Sequence, residues 1–387
     1  MRWGVALLVG LVVVALLSLR VRPEEAPGRA EATMERARAL HAHHDRVEQA
    51  LRASLAAIDP ELLAGLDRQP PPSRPAGYQV LPELGEPATR SGAPAKPRVA
   101  AYSWPWTDTR IGWAEEELAA LERRVAALPD IGAERRREEA GQIVLAFGGA
   151  RGSLATVDAH VGYNALWQRE IAANRAGYDR ETDRMAAIVA GRAPGGDGRP
   201  PSPAPFVRLE HPAPRRWVVR LPLETDILDP AFLDAVREGV ESRWHVVHGE
   251  DEYLLRIDLR RRSPAELHAG TAGGPPRPGE AIDTSAHCAR FSQGAGKLTT
   301  GAGFLHVAPG SCILLGPEAI TVHVLAHEVG HLLGFPDVYV RGYRDLGRDG
   351  FEVLEIAAVP DDIMGSPGDG PVTRRHFEPL VDVLGKR

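Results

Sequence analysis

The stretch Val322–Tyr339, VHVLAHEVGHLLGFPDVY, holds the residues of this chain best suited to chemistry. His327, Glu328 and His331 stand in the spacing H-E-x-x-H. On a helix, residues four apart share one face, so the two imidazoles can grip a single ion. Zinc takes imidazole nitrogen at about 2.0–2.1 Å, and a catalytic zinc has three protein ligands and an open position for water. Glu328 is suited to take a proton from that water, whose pKa the metal lowers toward about 7. The expected cofactor is Zn2+, with His327 and His331 as ligands and Glu328 as general base.

The third ligand is sought downstream. A straight helix would carry the chain away from the ion, but Gly334 can adopt positive φ and turn it sharply. Pro336 stiffens the return. Asp337 is then the first metal-binding side chain to come back, and carboxylate oxygen is a legitimate zinc ligand. A more distant glutamate, Glu352 or Glu355 in GFEVLEIAAV, is the alternative. His323, one turn before His327, is read as a histidine of the same face that is not a ligand.

HEVGHLLGFPD resembles the metzincin signature H-E-x-x-H-x-x-G-x-x-H/D, in the snapalysin-like variant that ends in Asp. The resemblance covers residues 206–387 and implies a zinc endopeptidase domain with a twisted mixed sheet and an active-site helix. It implies a methionine turn beneath the metal, and DDIMGSPG supplies Met364. It also implies that FLHVAPG (304–310) is the edge strand that holds an extended substrate. Two features depart from the pattern. Ser366 stands where many metzincins have tyrosine, with Tyr339 and Tyr343 as weak substitutes, and no cysteine precedes Cys288 to act as a latency switch.

The elements that must position these residues are legible in the same region. Pro317 and Glu318 suit the first turn of the motif helix, and Gly334 suits its C-terminal cap. RRWVVRLPLE alternates like a strand, DPAFLDAVREGVESRWHVV reads as a helix capped by Asp229, and EYLLRIDLRRR reads as a second strand. Strand–helix–strand predicts neighbouring parallel strands with a right-handed crossover. A last helix is expected at 373–384. The expected class for 206–387 is α+β.

Upstream, the pattern is helical and carries no recognisable chemistry. Residues 23–68 form a helical segment whose HAHH (41–44) is read as a solvated face. Residues 69–104 are a Pro-rich linker, 105–191 a helical bundle, and 192–205 a Gly/Pro linker. The role of 23–205 as stalk, spacer or propeptide stays open.

The net charge is −6, which gives no electrostatic support to a nucleic-acid partner. The expected partner is a protein or peptide substrate. Residues 1–22 include an uncharged run from Trp3 to Leu19, the length of a short membrane anchor or a signal-peptide core. Either reading places the remainder outside the cytoplasm, membrane-anchored or secreted. Cys288 and Cys312 are the only cysteines, and in an oxidising compartment they can pair; two buried thiols are the alternative. Three functions remain in view: a metzincin-like endopeptidase, a metallopeptidase with a distant glutamate ligand, and an envelope protein with a zinc site but no turnover.

Overall fold

The computed structural model describes residues 28–69, 76–85, 98–192, 200–271, 273–357, 359 and 361–386. The expected anchor at 1–22 lies outside them, as does 193–199 of the Gly/Pro linker. Among the described residues no helix is long and apolar enough to cross a membrane.

The chain is mixed α+β, as expected. Its helical part comprises α1 (Arg29–Ile58), α2 (Pro60–Asp67), α3 (Trp104–Ala127), α4 (Ala133–Ala173) and α5 (Arg175–Val189). Helices α1 to α4 share one core, so the segment before the Pro-rich stretch and the bundle after it pack as a unit. The reading of HAHH as a solvated face is corrected. His44 falls in register with Leu40, Val47 and Leu51, and it is fully buried with its ring 4.7 Å from Phe147. His41 and His43 reach across to Asp158 and Glu122 at 2.7 and 3.0 Å.

The Pro-rich stretch contributes two strands. Within it, β1 (Leu84–Gly85) and β2 (Arg98–Tyr102) pair with distant parts of the chain. Residues 70–75 and 86–97 lie outside the described residues.

The large sheet is built from β3 (Arg208–Ala213), β4 (Arg216–Thr225), β5 (His245–His248), β6 (Asp251–Arg261), β7 (Gly296–Thr300), β8 (His306–Ala308) and β9 (Cys312–Leu315). Its order is β5-β6-β4-β7-β9-β8, with β3 beside the first half of β4. The inner strands β6, β4, β7 and β9 run parallel, while β5 and β8 are antiparallel borders. Helix α6 (Pro230–Arg243) joins β4 to the β5–β6 hairpin, and Asp229 caps it by accepting from the Ala231 and Phe232 amides. The expected parallel pairing is present. The helix stops at Arg243, however, because Val246 and Val247 suit the extended chain and Gly249, at φ +62°, makes the hairpin turn. Short helices α7 (Pro264–Leu267) and α8 (Thr284–Cys288) follow, and Cys288 is disulfide-bonded to Cys312 at the start of β9.

After β9, β10 (Ile320–Thr321) pairs parallel with β1, and the motif helix α9 runs from Val322 to Leu332. The expectation that Pro317 opens this helix is corrected. The Ile320 amide bonds the Glu83 carbonyl at 2.9 Å, which holds 320–321 extended. Thr321 then caps the helix, its hydroxyl accepting from the Val324 amide at 3.2 Å. A second sheet has the order β11 (Val340–Asp345), β12 (Phe351–Ala357), β2, and α10 (Arg374–Leu384) closes the fold. The larger core lies between the large sheet and helices α6, α9 and α10. Trp244 is buried at its centre and donates its indole N–H to the Ala326 carbonyl of α9 at 2.9 Å.

Candidate metal centre

His327 and His331 lie one turn apart on α9 with ring centroids 4.8 Å apart. Each ring is oriented through Nδ1, His327 to the Ile363 carbonyl and His331 to the Phe335 carbonyl, both at 2.9 Å. A carbonyl oxygen only accepts, so each Nδ1 carries a proton, and in the neutral ring Nε2 is the nitrogen left with a lone pair. Metal-binding histidines are held in this way by a second set of contacts.

The chain then reverses through a Schellman cap. The Phe335 amide bonds the Gly330 carbonyl and the Gly334 amide bonds the His331 carbonyl, each at 3.0 Å. Gly334 has φ +89°, and a Cβ there would collide with the Ser202 backbone, whose amide bonds the Gly334 carbonyl at 3.0 Å. The reversal delivers Asp337 to the histidines. Its Oδ1 lies 3.3 Å from His327 Nε2 and 3.2 Å from His331 Nε2. The Val338 amide, bonded to the Met364 carbonyl at 3.1 Å, holds the returning chain there. Burial alone would raise the Asp337 carboxyl; the two imidazoles outweigh it and hold the group well below the usual carboxylate range.

These groups fit a zinc ion. Three atoms with lone pairs converge, and Asp337 Oδ1 is buried without a hydrogen-bond partner. Lone pairs so arranged repel unless a proton or a metal ion stands among them. The 3.3 and 3.2 Å from Asp337 Oδ1 to the two Nε2 atoms match the edge of a tetrahedron whose corners lie about 2.0 Å from its centre, the zinc distance for nitrogen and oxygen. The His327, Glu328 and His331 ligand atoms fall within 4.8 Å of one another, a looser set, so Asp337 is the better third ligand. That leaves Glu328 free. Burial pushes its carboxyl up, partly offset by the neighbouring imidazoles, which makes it a stronger base than an exposed glutamate.

Other expected residues take definite places. Met364 is buried against α9 at Gly330, where any Cβ would meet its sulfur. The turn carrying it is pinned by Asp362, which accepts from the Met364 amide at 2.7 Å and faces His376 of α10 at 3.1 Å. His323 turns away and bonds the Gly370 carbonyl at 2.6 Å. Glu355 pairs with Arg341 at 2.8 Å and Glu352 with Arg344 at 2.9 Å, so both alternative ligands are engaged elsewhere. Tyr339 stacks on His327 with centroids 6.2 Å apart, whereas Tyr343 bonds Asp179 of α5.

The chain matches no protein-family model, no curated protein and no solved structure. The geometry of the site therefore carries the functional argument.

The site opens into a cleft of about 1120 Å³. One side is the outer strand β8, hydrogen-bonded only to β9 among the described residues. Tyr102 of β2 and Tyr163 and Trp167 of α4 also line the cleft. Sequence reasoning missed these three residues. In the sequence they belong to a Pro-rich stretch and an amphipathic helix, and nothing local ties them to a site 160 or more residues away.

Proposed function

We propose that this protein is a zinc-dependent endopeptidase of metzincin type, hydrolysing peptide bonds of proteins outside the cytoplasm. The observation that carries the reading is the approach of Asp337 Oδ1 to His327 Nε2 and His331 Nε2, at 3.3 and 3.2 Å, beside an unengaged, buried Glu328. The buried Met364 beneath the motif helix and the antiparallel border strand beside it agree with the same family of catalytic domains. The Cys288–Cys312 bond agrees with an oxidising compartment.

His327, His331 and Asp337 would hold the ion. Zinc, when bound, supplies a Lewis acid that polarises a carbonyl and makes nearby water easier to deprotonate. Glu328 accepts the proton of the attacking water at its carboxylate and returns it to the nitrogen of the leaving amine, acting first as base and then as acid. The Ile363 and Phe335 carbonyls keep both imidazoles in the tautomer that binds metal. The free edge of β8 offers backbone groups to an extended peptide, which would add as a further strand.

The test is peptide hydrolysis by the full chain, with zinc content measured on the same samples. Chelation should abolish cleavage and zinc should restore it. Glu328→Gln keeps the shape and cannot act as a base, so it should retain zinc and lose activity by about 10²-fold or more. Near-parental cleavage by that variant overturns the reading.

A further inference from the structure

Part of the cleft lining is supplied by the helical region, and it is built in. The Gln168 side chain of α4 makes two bonds of 2.7 Å to the Phe351 backbone of β12. Met185 and Ile188 of α5 share a buried cluster with Val340 and Ile356 of the second sheet. Such a wall does not come away as a unit without exposing the core of that sheet.

On this wall Tyr163 and Trp167, four residues apart, lie on one face of α4. Tyr163 stacks on Tyr102 with centroids 5.7 Å apart and meets Phe304, just before β8, at 6.2 Å. The Arg341 guanidinium lies between the rings of Trp167 and Tyr339, at 4.8 and 4.5 Å, and its charge is met by Glu355. Trp167 is thus fixed in place by its neighbours. Its indole N–H, which can only donate, is buried with no acceptor.

Resting on the peptidase reading above, we infer that Tyr163 and Trp167 form a subsite that selects extended, unfolded peptide segments carrying an aromatic or long aliphatic side chain. The backbone of such a segment pairs with β8 and its side chain lies against the two rings. A cleft of about 1120 Å³ with an unpaired strand edge exceeds the roughly 300–1000 Å³ of small-molecule pockets. Aromatic platforms also bind single-stranded nucleic acid. Here the cleft carries Glu170, Glu318, Glu328 and Asp337, which would repel phosphates.

The test uses the full chain bearing Glu328→Gln, loaded with zinc, so that binding is read without cleavage. Fluorescent unstructured peptides carry one Phe, Leu or Ala moved through successive positions, and affinity is measured by anisotropy. At one position Phe and Leu peptides should bind about tenfold tighter than Ala peptides. Adding Trp167→Ala or Tyr163→Ala should shrink that ratio to about twofold, with the Ala-peptide affinity nearly unchanged, while Trp167→Phe keeps most of the preference. Zinc content and circular dichroism, measured on every variant, register any loss of fold. A parent without side-chain preference, or aromatic variants that weaken all peptides equally while staying folded, overturns the inference. Hydrolysis by the chain with Glu328 intact is scored separately. Selective binding without cleavage by that chain removes the peptidase reading and leaves the subsite. Cleavage indifferent to Trp167 and to the side chain does the reverse.

Discussion

At the scale of single residues, the third ligand decides what the site can do. In the proposed site His327 and His331 would bind through imidazoles oriented by backbone carbonyls, and Asp337 would add a negative charge. A carboxylate in that position partly neutralises the ion, which makes it a weaker Lewis acid than three neutral imidazoles would. Asp337→Ala leaves two ligands and should lose zinc affinity and activity together, by about 10²-fold or more, since even partners of ligands cost 10–100-fold. Asp337→His should keep zinc. Glu352→Gln and Glu355→Gln should leave metal content unchanged, because both groups are engaged by arginines. Zinc retained after dialysis against a competing chelator, measured on these variants, separates the outcomes. Zinc held by Asp337→Ala but lost with a glutamate variant would move the third ligand to β12.

At the scale of elements, the centre depends on how α9 ends. The Schellman cap at Gly334 returns the chain so that the Phe335 carbonyl orients His331 while Asp337 reaches both imidazoles. Gly334 is needed twice, for its φ of +89° and for the approach of the Ser202 backbone. Gly334→Ala should therefore destabilise the fold by more than the usual left-handed penalty of about 1–2 kcal/mol, and should weaken zinc binding as well. Urea unfolding with zinc content followed in parallel measures both. An unfolding midpoint within error of the parent would show that this turn is not under constraint. The opposite end of α9 teaches a different lesson. Proline and glutamate at 317–318 have the local preferences of a first helical turn, yet pairing of Ile320–Thr321 with β1 keeps the chain extended until Thr321 can cap.

At the scale of the whole molecule, residues 206–387 do not close the core of their second sheet. Strand β2 borders β12, α5 covers Val340 and Ile356, and α4 places Ile171 against Tyr343 and Val353. Expressed alone, 206–387 should bind hydrophobic dye and melt at least about 10 °C below the full chain, or without a cooperative transition, since several buried side chains each worth about 1.5–3 kcal/mol become exposed. Thermal unfolding of the two proteins side by side is the measurement. An equally stable fragment would mean that the helical part is an appendage and its wall of the cleft dispensable.

Local order carried the sequence a long way into the site. His327, Glu328 and His331 are bound to one face by helical period, Gly334 announces the reversal, and Asp337 follows within a few residues. Contacts so close along the chain are set by backbone geometry. The α+β class, the parallel pairing of β4 with β6 and the helix at 374–384 were legible for the same reason, through period and caps. Short polar runs were less readable. HAHH looks solvated until His44 is counted in register with Leu40 and Val47, where only a packed neighbour shows which face is inward. The long-range pairings had no local signal at all. Leu84 against Ile320, Ala101 against Leu354 and Tyr163 beside Phe304 each join residues more than a hundred apart, and such contacts form because buried faces and unpaired strand edges find one another only in the folded chain. The residues of the proposed metal site are thus written locally, while the aromatic lining of the cleft was decided by tertiary packing.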